Sequence, residues 1–322
     1  MEYRRLGKSG LKVSEISLGC GSPTFAGKAD EPTSINIINH ALELGINYVD
    51  TAETYAEGRS ETLVGKALKG KRSDVIIGTK FGRDRSVGPS EIRGSRSRMM
   101  KAVEGSLRRL QTDYIDLYIM HMPDPETPIE ETLRTLDDLV RVGKVRYIGC
   151  SDFAPWQLCD ALWTSRSYNL ESFIIASAKY NMIDRRIEQE LVPCCQTYGV
   201  GVMPLSALAG GFLTGKYRRG KEMPKGTRFG SVAPFTGAKH QDIQRYNKIY
   251  TEANFDKLDK LEGFAQQRGR SVGELAIAWM LTHPWVGTVL TGVSSSEQLT
   301  RNVAGVGWKL SAEDITQLNK II

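Results

Sequence analysis

Four side chains in this sequence combine types and positions that could do chemistry together. The apolar run INYV stops at Asp50, VIIGT stops at Lys80 and IDLYIM stops at His121, while Tyr55 follows Asp50 by five residues in DTAETY. A phenol with an ordinary pKa of about 10 is a poor acid at neutral pH unless a neighbouring cation favours its anion. Lys80 can supply that cation, and Asp50 can hold Lys80 in place. His121 completes a set of the kind that general acid catalysis beside a cation requires. Each residue also has a plainer role. A carboxylate at a strand end often caps the next helix, a lysine snorkels to water, a histidine is satisfied in the interior, and a tyrosine lies on a rim. The chemical reading therefore depends on whether the fold brings separate strand ends to one opening.

Short apolar segments rich in β-branched residues recur between helical patterns, as expected of successive βα units and a parallel sheet. They are Ile16 to Leu18, Ile46 to Val49, Val75 to Thr79, Ile115 to Met120, Val145 to Gly149, Phe173 to Ala176, Val200 to Pro204 and Val286 to Thr291. Between them, INIINHALELG, SRMMKAVEGSLRRL, ETLRTLDDLVRVG and IEQELVPCCQTYG repeat apolar residues every three or four positions, the spacing of amphipathic crossover helices. Gly45, Gly143 and Gly199 end such stretches where a positive φ closes the last turn. This α/β pattern predicts a (β/α)8 TIM barrel. A doubly wound sheet would need fewer strands and a Gly-rich turn after the first. The functional face is then the ring of loops at the strands' carboxyl ends, where Asp50, Lys80 and His121 stand.

After the seventh strand the repeat is interrupted from Ala207 to about Asn254, a long loop of the size that serves as a lid or binding loop. Beyond it, Ser271 and Glu274 form a capping-box pattern that opens a buried helix. No linker separates a second domain, so residues 1–322 read as one.

Composition narrows the function. The chain is 40% apolar and 25% charged with no long apolar run, which argues for a globular protein without a membrane span. No secretory signal opens it, so the expected location is cytoplasmic. Five cysteines without CxxC spacing and four scattered histidines predict reduced thiols and no metal site. The net charge of +6 is spread along the chain, so a small anionic ligand is expected and nucleic acid is not. Gly210 to Lys216, GGFLTGK, fits the first part of a P-loop, but Tyr217 stands where a magnesium-binding serine or threonine belongs.

With these residues in view, the sequence resembles the aldo-keto reductase family nearly end to end. The segments that carry the resemblance include RRLGKSGLKVSEISLGCG, ALELGINYVDTAETYAEGRSETLVGKAL, VIIGTKFG, SLRRLQTDYIDLYIMHMPDPETPIEETLRTLDDLVRVGKVRYIGCSDF, KYNMIDRRIEQELVPCC, GGFLTGKY and GVSSSEQLTRNV. Within the family it is most similar to bacterial reductases and the potassium-channel β-subunit-like branch. The resemblance implies a barrel that binds NADPH or NADP+, with NADH as the alternative, and reduces carbonyls. It makes Tyr55 the proton donor, tuned by Lys80 and Asp50, with His121 orienting the carbonyl. It assigns the adenosine and 2′-phosphate end to Gly292, Ser294, Gln298 and Asn302, and short hydroxyl and amide groups opening a helix suit a phosphate. Lys216 and Arg228 resemble the pyrophosphate and 2′-phosphate clamps, and Ser206, Leu208 and Gly210 fall in the matching cofactor loop. Arg301 either adds charge there or lies on a solvated helix face.

The nicotinamide end departs from the family pattern. Where the family has Ser-Asn, a Gln and an aromatic, this chain has Ser151 and Asp152, Ser177, and Leu205. Leucine cannot stack on the ring, which forfeits about 1 kcal/mol, and loss of the glutamine amide costs about another 1 kcal/mol. Binding should survive these losses, since together they amount to about tenfold to a hundredfold in affinity. Three functions stay open. One is a reductase of small aldehydes, ketones or sugars, its pocket rimmed by Phe25, Tyr55 and Trp156. The second is a nucleotide-sensing regulatory subunit with slow turnover, and the third is a redox-neutral carbohydrate enzyme that retains its cofactor. Oligomeric state is open, and a homo-oligomer is compatible with the sequence.

Overall fold

The computed structural model describes residues 1–21, 25–83, 92–227, 229–230 and 240–322, with the side chains of 28, 240–243 and 245 left aside. An antiparallel hairpin of β1 (Tyr3–Arg5) and β2 (Lys12–Ser14) precedes eight parallel strands. These are β3 (Ile16–Gly19), β4 (Tyr48–Asp50), β5 (Ile76–Phe81), β6 (Ile115–Met120), β7 (Val145–Ser151), β8 (Ile175–Lys179), β9 (Gly201–Leu205) and β10 (Val289–Gly292). Their order is β10-β3-β4-β5-β6-β7-β8-β9. A single parallel bridge between Val202 and Val286 brings the two outer strands together, supported by Gly287 N–H to the Val202 carbonyl at 2.9 Å. The result is the predicted (β/α)8 barrel.

Twelve α-helices are described: α1 (Phe25–Lys28), α2 (Glu31–Glu43), α3 (Arg59–Ala67), α4 (Arg96–Leu110), α5 (Ile129–Arg141), α6 (Pro155–Ser167), α7 (Leu191–Tyr198), α8 (His240–Ile249), α9 (Glu252–Gln266), α10 (Val272–Leu281), α11 (Ser296–Val303) and α12 (Ala312–Asn319). The stripes read from spacing face the sheet: α4 buries Met99, Val103, Leu107 and Leu110, and α5 buries Leu133, Leu136 and Leu139. Each such side chain contributes about 1.5–3 kcal/mol on burial. The Ser271–Glu274 capping box opens α10, and Gly45, Gly143 and Gly199 adopt φ of 83°, 79° and 75°.

Side chains alternate between the two faces of each strand, so parity decides what enters the barrel. The interior is packed by Leu6, Val13, Tyr48, Leu117, Ile119, Ile175 and Met203. Two residues further along the same strands stand Asp50, His121, Ser177 and Leu205. Lys80 and Ser151 follow Gly78 and Gly149 in the same way, and register sets Lys80 beside Ile119 and Ser151 beside Ser177. The candidate residues thus lie on the inward face at the carboxyl ends.

Three expectations need correction. β5 and β7 run two residues beyond their expected ends, because the polar side chains that interrupt the apolar pattern point inward and the ladder continues past them. β4, β8 and β10 begin two or three residues late, and Val286 makes only the isolated bridge. The segment from Ala207 to Asn254 is not wholly loop. It contains a 3-10 turn at Ala209–Thr214, α8, and the start of α9. Charged residues had hidden an apolar set, since Tyr217, Phe229, Tyr246 and Tyr250 pack together and on Phe212 and Phe255. Tyr217, the misfit of the P-loop pattern, is fully buried here.

Candidate active site

Asp50 and Lys80 are both 1% exposed and form a buried ion pair between Oδ1 and Nζ. Removing two charges from water is costly unless their remaining positions are satisfied. Here the ammonium also donates to the Thr51 carbonyl at 2.9 Å, and the Tyr48 hydroxyl donates to Asp50 Oδ2 at 3.1 Å. Burial pushes the Asp50 carboxyl above its ordinary range against the pull of Lys80. Burial alone would lower Lys80, but Asp50 and Tyr55 outweigh it and hold the ammonium raised.

Tyr55 is carried by a turn in which its N–H bonds the Ala52 carbonyl at 3.1 Å and Ala56, Glu57 and Gly58 all take positive φ before α3. Its half-buried ring lies with its centroid 5.1 Å from Lys80 Nζ and 5.6 Å from the His121 ring, edge to face. His121 is 5% exposed, and burial, then the Lys80 and Arg83 charges, lower its pKa to about 2. It is therefore a neutral imidazole at any working pH. Arg83 Nη1 donates to its Nε2 at 3.4 Å, and its buried Nδ1 has no partner among the described residues. Asp50, Tyr55, Lys80 and His121 thus meet at one mouth: a cation, a phenol and an uncharged imidazole, a set able to bind a carbonyl oxygen and protonate it.

Beside them, the Ser151 and Ser177 hydroxyls are buried and have no hydrogen-bond partner among the described residues. Orphaned buried hydroxyls cost free energy unless a ligand meets them. A nicotinamide carboxamide has the donor and acceptor to do so, and the residues present fit that group. Asp152 is exposed at φ 56°, its N–H bonded to the Ser177 carbonyl at 2.9 Å, and Leu205 ends β9 half-buried. Ser206 has φ 59°, Gly210 has φ 69°, and Leu208 precedes the 3-10 turn. Lys216 is exposed with Nζ 5.2 Å from the Tyr217 ring centroid. Arg228 lies outside the described residues.

Past β10, exposed Gly292 leads to the N-terminus of α11. There Ser295 caps the helix, and the Ser294 N–H donates to Gln298 Oε1 at 3.0 Å. Asn302, 9% exposed, lies one turn further on. Arg301 is exposed and its Nε donates to the Glu297 carbonyl at 3.4 Å. The helix N-terminus and these short polar groups suit an anionic nucleotide end. The expected aromatic rim changes: Phe25 is fully buried in the hydrophobic core and cannot line an open pocket, whereas Trp156 is 69% exposed. Tyr48 and Arg83 escaped sequence reasoning. Tyr48 could have been found by parity, two residues before Asp50. Arg83 stands three residues after Lys80 and follows no such rule.

Comparison with known proteins shows the family. The family model described as the Aldo/keto reductase family matches residues 15–322. A versiconal hemiacetal acetate reductase of Aspergillus parasiticus is 36% identical, over 99% of this chain and 96% of its own. The aldo-keto reductase YhdN of Bacillus subtilis is 34% identical, over 100% and 94%. A probable voltage-gated potassium channel subunit beta of Oryza sativa is 34% identical, over 94% and 90%. With an eight-stranded barrel, a family match over nearly its whole length and oxidoreductase-named relatives, this chain belongs to the aldo/keto reductase family and is an aldo-keto reductase-like oxidoreductase.

Proposed function

We propose that the protein reduces aldehyde, ketone or sugar carbonyls with NADPH, reversibly, and that Asp50, Tyr55, Lys80 and His121 carry the reaction. The observation that supports this most is the meeting of the Lys80–Asp50 pair, the Tyr55 ring and the neutral His121 at one mouth. A bound NADPH would supply the hydride that the carbonyl carbon receives. Tyr55 gives its hydroxyl proton to the carbonyl oxygen, so the product is an alcohol. Lys80 stabilises the negative charge left on the phenol oxygen, and Asp50, held by Tyr48, keeps the ammonium in place. His121, uncharged, orients the carbonyl oxygen through a ring nitrogen. Ser151 and Ser177 would hold the carboxamide of that cofactor, assisted by Asp152. Leu205 would line the ring's site, Ser206, Leu208 and Gly210 would fall in the cofactor loop, Lys216 and Arg228 would clamp the pyrophosphate and 2′-phosphate, and Gly292, Ser294, Gln298 and Asn302 would hold the adenosine and 2′-phosphate end.

The test is absorbance at the reduced-cofactor band with a panel of aldehydes, ketones and sugars. Turnover is expected in the wild type, with a loss in Tyr55→Phe of about a hundredfold or more, the scale of a lost general acid. Turnover that persists in Tyr55→Phe would remove Tyr55 from its role, and absence of NADPH binding at millimolar cofactor would end the reading. A second reading, a nucleotide-binding regulatory subunit, is favoured by the relatives named as potassium channel subunits beta and by Ser177 and Leu205 at the nicotinamide end. It predicts NADPH binding without turnover across the panel.

A further inference from the structure

We propose that Arg83 forms an anion subsite, so that the carbonyl substrates of this protein carry a carboxylate or phosphate within a few bonds of the reacting carbon. The inference rests on the reductase reading above and adds the substrate class to it. Arg83 follows β5 directly. Gly82 turns the chain at φ 83° and its N–H donates to Glu53 Oε1 at 3.2 Å, which aims the next residue at the mouth. The side chain is exposed, yet Nη1 reaches His121 Nε2 at 3.4 Å.

Among the described residues, carboxylates at the ends of the neighbouring strands and in the loops that follow them are committed elsewhere. Asp50 is paired with Lys80, and Glu53 takes Arg98 at 2.9 Å. Asp124 accepts from the Gly94 N–H at 2.7 Å and the Thr127 hydroxyl at 2.9 Å. No carboxylate among the described residues lies within ion-pair distance of Arg83, so at the imidazole its guanidinium meets a neutral acceptor. Lys80 behind it is paired with Asp50, and Arg83 adds a second cation with no described carboxylate at ion-pair distance. The lowered pKa of His121 reflects the same field, after burial.

A guanidinium binds carboxylate or phosphate through two parallel N–H donors. In the reading above a carbonyl oxygen takes its place at a ring nitrogen of His121. With Nε2 accepting from Arg83 the ring proton sits on Nδ1, so for Nε2 to donate to a carbonyl oxygen the guanidinium must leave and the ring must take its other neutral tautomer, with the proton on Nε2. An anionic substituent on the same substrate gives the released guanidinium a charged partner within a short swing of the side chain. A neutral carbonyl gives it none.

Two matched pairs test this with NADPH: 4-oxobutanoate against butanal, and glyceraldehyde 3-phosphate against glyceraldehyde. In the wild type the anionic member of at least one pair is preferred in kcat/KM. In Arg83→Gln that preference falls at least tenfold, chiefly through KM, and Arg83→Lys restores part of it. The pair that responds tells carboxylate from phosphate. A preference unchanged in both pairs overturns the subsite while leaving the reductase reading intact. Binding supplies a second readout. Calorimetric titration of succinate and of glycerol 3-phosphate into the NADP+ complex is expected to show affinity for at least one, weakened at least tenfold in Arg83→Gln. Equal affinities, or no binding of either, overturn the proposal. Arg83-dependent binding without turnover of any carbonyl supports the subsite and defeats the reductase reading.

Discussion

Two buried hydroxyls that have no partner among the described residues give the most direct access to the cofactor. Ser151 and Ser177 are buried in an unfavourable state that a bound carboxamide would relieve. Each orphaned hydroxyl costs about 1–3 kcal/mol. Ser151→Ala and Ser177→Ala should therefore raise the Tm of the cofactor-free protein and weaken NADP+ binding by about fivefold to tenfold, about 1 kcal/mol. Thermal melts and a fluorescence titration check both signs. Variants less stable with unchanged affinity would show that the hydroxyls serve the fold. His121 offers a pH handle. Its pKa falls from an ordinary 6.5 to about 2 on folding. The folded state thus binds fewer protons than the unfolded chain, and stability present above pH 6.5 is lost as pH falls towards 2, at about 1.4 kcal/mol per pH unit. His121→Gln removes that term, so urea unfolding at pH 7 and pH 5 should show a smaller acid loss in the variant. An equal loss would place the acid sensitivity elsewhere. At this scale Asp50, Lys80 and His121 were legible because each ends an apolar run. Ser177 and Leu205 emerged only by comparison with a family pattern. Arg83 was not legible, since a cation in a charged stretch looks the same whether it faces solvent or a ring nitrogen.

The strands show why the site tolerates little change in the layer beneath it. On β5, Gly78 lies directly against the hydroxyl end of Tyr48, and an added Cβ would enter the space of that ring. Gly78→Ala should push Tyr48 aside and deprive Asp50 of its second hydrogen bond. The cost is about 1–3 kcal/mol of stability, the scale of an overpacked core, with a lowered kcat. A crystal structure and a melting curve of the variant check this, and an undisplaced Tyr48 would sink it. Strands and crossover helices were readable from periods of two and 3.6, together with the glycines that end helices. The segment after β9 was not. Its ordering comes from Tyr217, Phe229, Tyr246 and Tyr250, which are separated by charged stretches and meet only in three dimensions. Propensity and spacing carry no trace of such a long-range cluster.

For the barrel as a whole, the seam between β9 and β10 is the sparsest in the ring. Other neighbours share ladders of two to five paired residues, whereas this seam has the single Val202–Val286 bridge. Local opening follows such differences. Hydrogen exchange should therefore be faster at the Val202 and Gly287 amides than at the inner amides of β5, β6 and β7, and uniform protection around the ring would contradict this. Closure itself was legible from the count of eight βα repeats, but the weak seam was not, because Val286 reads as strand and barely pairs.

The opposite end is shut by the hairpin. Its turn carries Leu6 into the barrel interior and brings Gly7 against the backbone at Ile174, Gly199 and Gly201, and Lys8 N–H bonds the Gly199 carbonyl at 2.8 Å. Packing that secures the base and side chains that perform the work at the mouth are thus separated by the full length of the strands. The two can be altered independently. A protein engineer could reinforce the stopper without retuning the pocket, or diversify the pocket on a foundation left untouched.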